Sequence, residues 1–248
     1  MTFCLGMIVD EGIIGIADSR LTSGNEIISA KKLTVYQHDA GTLFIMTSGL
    51  RSVRDKALTY FGEALNARPE PLDRLFKAVN LFTEQIRLVS REDKESLTES
   101  GLKFDFYAII GGQLPGDRDH MLYLVYPQGN WVEVGKGTPY QIIGSAAYGK
   151  PVLDRTLKYQ DSLRFAMKVG CLAFDSTRIS AADVDFPIDV AIYERNSFQI
   201  TERRYFKQDL APISDWWQDR LRNSVRELPA EWIDRVFMNV LPTADTTP

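Results

Sequence analysis

The sequence predicts an α+β fold, a four-layer αββα sandwich of two antiparallel sheets with helices outside. Three observations predict it. The runs Phe3 to Val9 and Ile13 to Ala17 are almost unbroken apolar, as strands covered on both faces are. Between blocks of such runs the apolar period changes from that of a strand to that of a helix. The resulting order, β…αα…β…α…ββα, sets helix layers where two stacked sheets need covering.

The first two runs flank Asp10-Glu11-Gly12, turn chemistry that makes them an antiparallel hairpin. Setting Val9 opposite Ile13 carries Thr2 to Asp18, Ser19 and Arg20, within about one residue of register. Lys31 and Lys32 lie on a short segment that returns to the same edge. Leu33 to Tyr36 and Leu43 to Thr47 read as two more strands around His38-Asp39-Ala40-Gly41. Val53, Ala57, Phe61 and Leu65 then fall at helical spacing, so a helix starts just after Ser48-Gly49 and ends at Pro69 and Pro71. Leu72, Leu75, Phe76, Val79, Phe82, Ile86 and Val89 fill one face of a longer helix.

Arg91 to Ser100 is charged and reads as a mobile surface loop. Phe104 to Gly111, Met121 to Tyr126, Trp131 to Val134 and Tyr140 to Ile143 read as a meander. Ser162 to Asp175 is apolar on nearly every side, as a buried helix is. Ile188 to Tyr193 and Phe198 to Tyr205 close the strands at the turn Arg195-Asn196. A last amphipathic helix runs from about Ser214 to Leu228 and carries Trp216 and Trp217. Residues 1–241 thus read as one domain with a helical extension from about 211, and 242–248 as a disordered tail.

Composition narrows the class. The 248 residues are 44% hydrophobic and 25% charged, ordinary for a globular protein. A net charge of −4, with no Lys/Arg run longer than two, gives no reason to expect nucleic acid. Cys4 and Cys171 lie in apolar runs, as packing thiols of a reducing compartment do. No apolar segment is long enough for a bilayer, and Asp10 and Glu11 interrupt any signal-like run. A cytoplasmic chain without membrane partners is expected.

Much common chemistry is excluded. Of the two histidines, neither His38 nor His120 neighbours a Gly-x-Ser-x-Gly elbow, which argues against a Ser-His-Asp triad. Two His and two scattered Cys cannot make a zinc site of ordinary spacing. Gly111-Gly112 lacks the Gly-Lys of a phosphate loop. No cofactor or metal is implied. An N-terminal Thr needs no histidine: once Met1 is removed, its α-amine, with a pKa of about 7.7–8.0, can take the proton from its own Oγ. Lys32, if buried against Thr2, favours the alkoxide, and Asp18 holds that ammonium. Singly, each feature is bland. Thr2 suits Met removal, Asp18-Ser19-Arg20 suits a surface ion pair, and Lys31-Lys32 suits a solvated pair.

Together they carry a resemblance. Thr after Met, Leu5-Gly6, a Gly-centred hairpin, Ala17-Asp18-Ser19-Arg20, Thr22, Gly24 and a Lys pair resemble proteasome β-type subunits, which are N-terminal nucleophile hydrolases. Tyr148-Gly149-Lys150-Pro151, Leu153-Asp154-Arg155 and Phe174-Asp175-Ser176-Thr177 point to their bacterial branch, Anbu. The resemblance covers about residues 2 to 205. The Lys pair comes two residues earlier than in typical members, and Lys32 is assigned the role because Val35-Tyr36 follows it closely.

The resemblance implies an oxyanion N–H at Gly49, Asp175 orienting the α-amine, and a neighbouring hydroxyl, with Ser145 matched to the Gly-Ser-Gly of those subunits. It also implies a specificity pocket at Leu21, Thr22, Ala30, Thr34, Thr47 and Arg51. Arg51 either reaches the pocket, favouring an acidic or amide-bearing side chain, or pairs with Asp55 at i,i+4. The function implied is a self-compartmentalising threonine peptidase or amidase acting on a peptide or amide. The alternatives are a narrow small-amide or isopeptide amidohydrolase and a silent scaffold of the same fold. A homo-oligomer, as a ring or an open helical turn, is expected, with Trp216, Trp217 and Trp232 suited to its contacts.

Overall fold

The computed structural model describes residues 2–23, 26–38 and 41–237. The chain opens with β1 (Phe3–Val9), β2 (Gly12–Asp18), β3 (Arg20–Ser23) and β4 (Glu26–Ser29). β5 (Leu33–His38) and β6 (Gly41–Gly49) lead into α1 (Arg51–Asn66) and α2 (Leu75–Glu99). Next come β7 (Phe106–Gln113), β8 (Met121–Val125), β9 (Trp131–Glu133), β10 (Tyr140–Gly144), α3 (Lys150–Thr156) and α4 (Leu163–Ser180). β11 (Ile188–Glu194), β12 (Ile200–Tyr205), α5 (Lys207–Arg226) and α6 (Glu231–Phe237) follow. The strands make two antiparallel five-stranded sheets, ordered β10-β1-β2-β11-β12 and β5-β6-β7-β8-β9, with β3-β4 a separate hairpin.

Alternation along the strands produces the four layers. From β1, Phe3, Leu5 and Met7 pack with Val169, Ala173 and Phe174 of α4. The intervening Cys4 and Ile8 pack with Phe44, Met46 and Ile109 of the other sheet. Ile45, Ala108 and Ile110 face the opposite way, onto Phe61 of α1 and Phe82 of α2. Those two rings meet edge-on with centroids 5.3 Å apart, locking the helix pair together. Gly6 and Gly15 sit opposite each other in β1 and β2. A Cβ on Gly15 would lie 2.9 Å from the Phe44 ring, and one on Gly6 2.9 Å from Ile109. Small residues in one sheet therefore make room for large ones in the other.

The hairpin register differs by one residue from the expectation. Ile8, not Val9, lies opposite Ile13, because Gly12 belongs to β2 and the turn is the tighter Asp10-Glu11. Arg91–Glu99 is no loop but the last part of α2. It lacks an apolar stripe, yet its Arg, Glu, Lys and Leu are good helix formers, and Leu97 still packs on the core. Lys56 of α1 ties the same stretch down through Glu92 and Asp93, each at 2.7 Å.

Nor are the four middle strands one meander. β7, β8 and β9 continue one sheet, whereas β10 crosses to the other and pairs with the free side of β1. α3 had no counterpart in the sequence reading. α5 starts at Lys207 rather than near Ser214. Pro212, its sixth residue, has no N–H to give the carbonyl of the second residue, Gln208, and its ring crowds that carbonyl.

The chain divides into two compact units, Met1–Leu210 and Ala211–Pro248. Within the second, Trp216 and Trp217 stack with centroids 6.4 Å apart and Arg220 lies over Trp216. The sequence-predicted tail at 242–248 lies outside the described residues. Among the described residues, no helix is long and apolar enough to cross a membrane.

Candidate active site

Asp18 ends β2 and is fully buried, so its charge requires partners. Its Oδ1 accepts the Phe3 backbone N–H at 2.8 Å, which fixes the residue after Thr2. Lys32 Nζ lies 2.8 Å from both carboxylate oxygens and also donates to the Arg20 carbonyl at 2.7 Å. Lys32 is itself buried, so the pair is dry and fully hydrogen-bonded. Burial pushes the Asp18 carboxyl above its ordinary range, and Lys32 leads the groups pulling it back. The Lys32 backbone is pinned too, because its carbonyl accepts Thr47 N–H at 3.1 Å.

The neighbouring Lys31 is exposed and pairs with Glu202 of β12. Two adjacent lysines therefore point to different places: one crosses to Asp18, the other lies along the sheet edge.

Thr2 is held from the other side by the end of β10. Ser145 N–H donates to the Thr2 carbonyl at 2.7 Å. Gly144 lets the backbones approach that closely: at φ +87° a Cβ there would lie 1.9 Å from the Thr2 oxygen. Gly49, at φ +118°, ends β6, and a Cβ on it would lie 2.0 Å from the Asp105 carbonyl oxygen. That carbonyl accepts Leu50 N–H at 3.0 Å, which turns the chain from β6 into α1. Leu50 provides no side-chain cap to α1.

These elements enclose a cavity of about 20 Å³ lined by Thr2, Lys32, Thr47, Ser48, Gly49, Arg51 and Arg54. That is room for about one water. A larger cavity of about 390 Å³, between the β5–β6 hairpin and the α1–α2 connection, shares no lining residue with it.

The structure thus gathers Thr2, Asp18, Lys32, Thr47, Gly49 and Arg51, with Ser145 joined through its backbone. Ala30 is buried and donates its N–H to the Ser19 carbonyl at 2.8 Å, so it packs next to the Asp18 strand end. Thr34 is half-buried in β5, opposite Ile45. Leu21 and Thr22 lie in β3, but their side chains are outside the described residues. Asp175 is buried in α4, where Arg178 pairs with it at 2.6 Å. Its neighbour Phe174 packs on Phe3, with centroids 6.0 Å apart.

Arg51 is about half exposed and its Nε lies 3.3 Å from Asp55, so the i,i+4 pair forms even though the residue lines the cavity. The sequence reading missed Arg54. Its spacing of three from Arg51 puts both on one helix face, a signal that was present. Among the described residues, no group of three or more His, Cys, Asp or Glu is placed to hold a metal. A hydroxyl, a fixed cation and a helix start around one cavity are parts that acyl transfer uses.

No protein-family model and no curated protein matches the chain. Solved structures do. Anbu from Yersinia bercovieri superposes with a TM-score of 0.85 at 28% identity, over 92% of this chain and 98% of that one. An Anbu (Gly-1) mutant from Hyphomicrobium sp. strain MC1 gives 0.84 at 28% identity, over 92% and 99%. A structure described as the helical assembly of the Anbu complex from Pseudomonas aeruginosa gives 0.86 at 24% identity, over 99% and 100%, a likeness of fold.

Proposed function

We propose that this chain, an Anbu-type protein of proteasome β-subunit fold, is an N-terminal threonine hydrolase that cleaves a peptide or amide bond once Met1 is removed. The observation that carries the reading is the buried Asp18–Lys32 pair, tied through Phe3 N–H to the residue next to Thr2. A dry ammonium lining the same cavity as Thr2 lowers the cost of an alkoxide there.

In this reading the Thr2 α-amine takes the Oγ proton, directly or through one water, and Oγ attacks the amide carbonyl carbon. The negative charge moves to the carbonyl oxygen, next to the Gly49 turn. The intermediate collapses by breaking the C–N bond, and the departing amine takes the proton held by the α-amine. Water then attacks the ester, gives its proton to the same α-amine, and releases the acid with Thr2 restored. Ser145 and Asp175 are assigned to orienting the amine, and Leu21, Thr22, Ala30, Thr34, Thr47 and Arg51 to binding substrate.

Intact-mass measurement with and without a threonine-directed β-lactone tests this. We expect a chain lacking Met1 that gains one adduct, and no adduct in Thr2→Ala. A folded protein retaining Met1, or an adduct that survives Thr2→Ala, overturns it.

We also propose a homo-oligomer. The helical assembly described for the Pseudomonas aeruginosa relative supports it, as do Trp216 and Trp232, which are 53% and 74% exposed. Light scattering that returns the monomer mass at micromolar concentration would overturn that.

A further inference from the structure

The cavity beside Thr2 has an unbalanced lining. Lys32, Arg51 and Arg54 are three of its seven residues, and none of the seven is acidic. Lys32 is spoken for by Asp18, but among the described residues the two arginines share a single carboxylate. Asp55 Oδ1 accepts Arg54 Nε at 2.8 Å, and its Oδ2 takes Arg51 Nε at 3.3 Å. One negative charge thus serves two positive ones. Asp55 occupies one edge of the Arg54 fork, and a guanidinium has five N–H donors.

Both arginines stand in the first turn of the 16-residue α1, which has no acidic residue there and no side-chain cap from Leu50. The helix start therefore adds unpaired N–H groups and a partial positive charge at the same place. A separate observation points to a missing acceptor. Thr47 lines the cavity, is 2% exposed, and its Oγ1 has no hydrogen-bond partner among the described residues. Native buried hydroxyls are seldom left so.

We propose that this cavity is a carboxylate subsite, so that the chain acts on amides whose acyl part carries a carboxylate, such as an aspartyl or glutamyl residue at the cleaved position. The proposal rests on Thr2 being the nucleophile. An incoming carboxylate meets the free edge of Arg54, the N–H groups that open α1, and the Thr47 hydroxyl. Arg51 turns to it by exchanging the exposed Asp55, a pair that costs little to break. Charge also sets what is refused: with Lys32 balanced by Asp18 and Asp55 shared by Arg51 and Arg54, the lining stays net positive and repels a basic side chain. The choice between an acid and its isosteric amide, open on the sequence alone, falls to the acid. Two guanidinium groups gain more from an ionised acceptor than from a neutral one.

The test is the rate of Thr2 acylation by a series of β-lactones that differ only in side chain: carboxylate, carboxamide, isobutyl or guanidino. Intact mass is the readout. The carboxylate member should label at least about tenfold faster than the carboxamide, the worth of one charge-assisted hydrogen bond. That ratio should collapse toward one in Arg54→Gln and shrink in Arg51→Gln, so either variant alone suffices if the other does not fold. Labelling in which carboxylate and carboxamide react equally overturns the subsite while leaving the nucleophile intact.

If no member labels Thr2, the nucleophile reading falls instead. The subsite is then read by calorimetric titration with an acetylated peptide ending in glutamate or glutamine amide. Tighter binding of the glutamate peptide, lost in Arg54→Gln, supports the subsite, and equal binding of the two overturns it.

Discussion

Replacing Lys32 by Met separates the two adjacent lysines energetically. Asp18 is fully buried and Lys32 is 4% exposed, so Lys32→Met leaves a carboxylate in the core whose remaining hydrogen bond, among the described residues, is the Phe3 N–H. Breaking one side of a buried ion pair costs about 3–5 kcal/mol. For a unit of this size each kcal/mol moves the melting point by about 2–4 °C, so Tm should fall by about 6–20 °C. Lys31→Met removes an exposed pair in which Lys31 and Glu202 are 47% and 41% accessible. Its expected cost is about 0–1 kcal/mol, or no more than about 4 °C.

The double variant Asp18→Asn/Lys32→Met removes both charges and keeps an acceptor for Phe3 N–H, so it should regain much of the loss. Circular dichroism melts at one protein concentration are the assay, because assembly makes Tm concentration-dependent. Equal shifts for Lys31→Met and Lys32→Met, or a double variant no better than Lys32→Met, would refute the reasoning. Both Lys32 variants should also fail to acylate.

Two further predictions concern the frame of the site and its surroundings. Gly49→Ala puts a Cβ 2.0 Å from a carbonyl oxygen at φ +118°, so it should cost about 2 kcal/mol or more and suppress the Thr2 adduct; wild-type labelling and Tm would contradict this. His120 is buried with Nε2 2.7 Å from the Val9 carbonyl, and burial lowers its pKa below 6.5 against the pull of that carbonyl and Asp119. With the folded-state value depressed, the unfolded chain binds the proton first. Stability is then present above about pH 6.5 and is lost as pH falls toward the folded-state value. Urea melts at about pH 7.5 and 5.5 should show that loss, and His120→Gln should flatten it; parallel pH slopes would contradict it.

What the sequence determined by itself is what local period and turn chemistry can encode. The apolar runs of β1, β2, β6 and β11, covered on both faces, required two stacked sheets, and the period change after Gly49 placed α1. The hairpin arithmetic carried Thr2 to Asp18 with an error of one residue, because whether Gly12 ends the turn or starts β2 depends on its pairing with Val9.

Tertiary structure decided the rest. Nothing local distinguishes Lys31 from Lys32; burial of Asp18 on one side and Glu202 at the sheet edge on the other do so. Nothing in Tyr140 to Gly144 says which sheet it joins; the free side of β1 takes it, and its end then holds Thr2. The charge of the cavity was legible only in part. The sequence left Arg51 between the pocket and a pair with Asp55 and did not single out Arg54, and the β6–α1 turn at Gly49 brings both to the cavity beside Thr2. Charges acquire chemical roles from what surrounds them, and long-range pairing sets the surroundings.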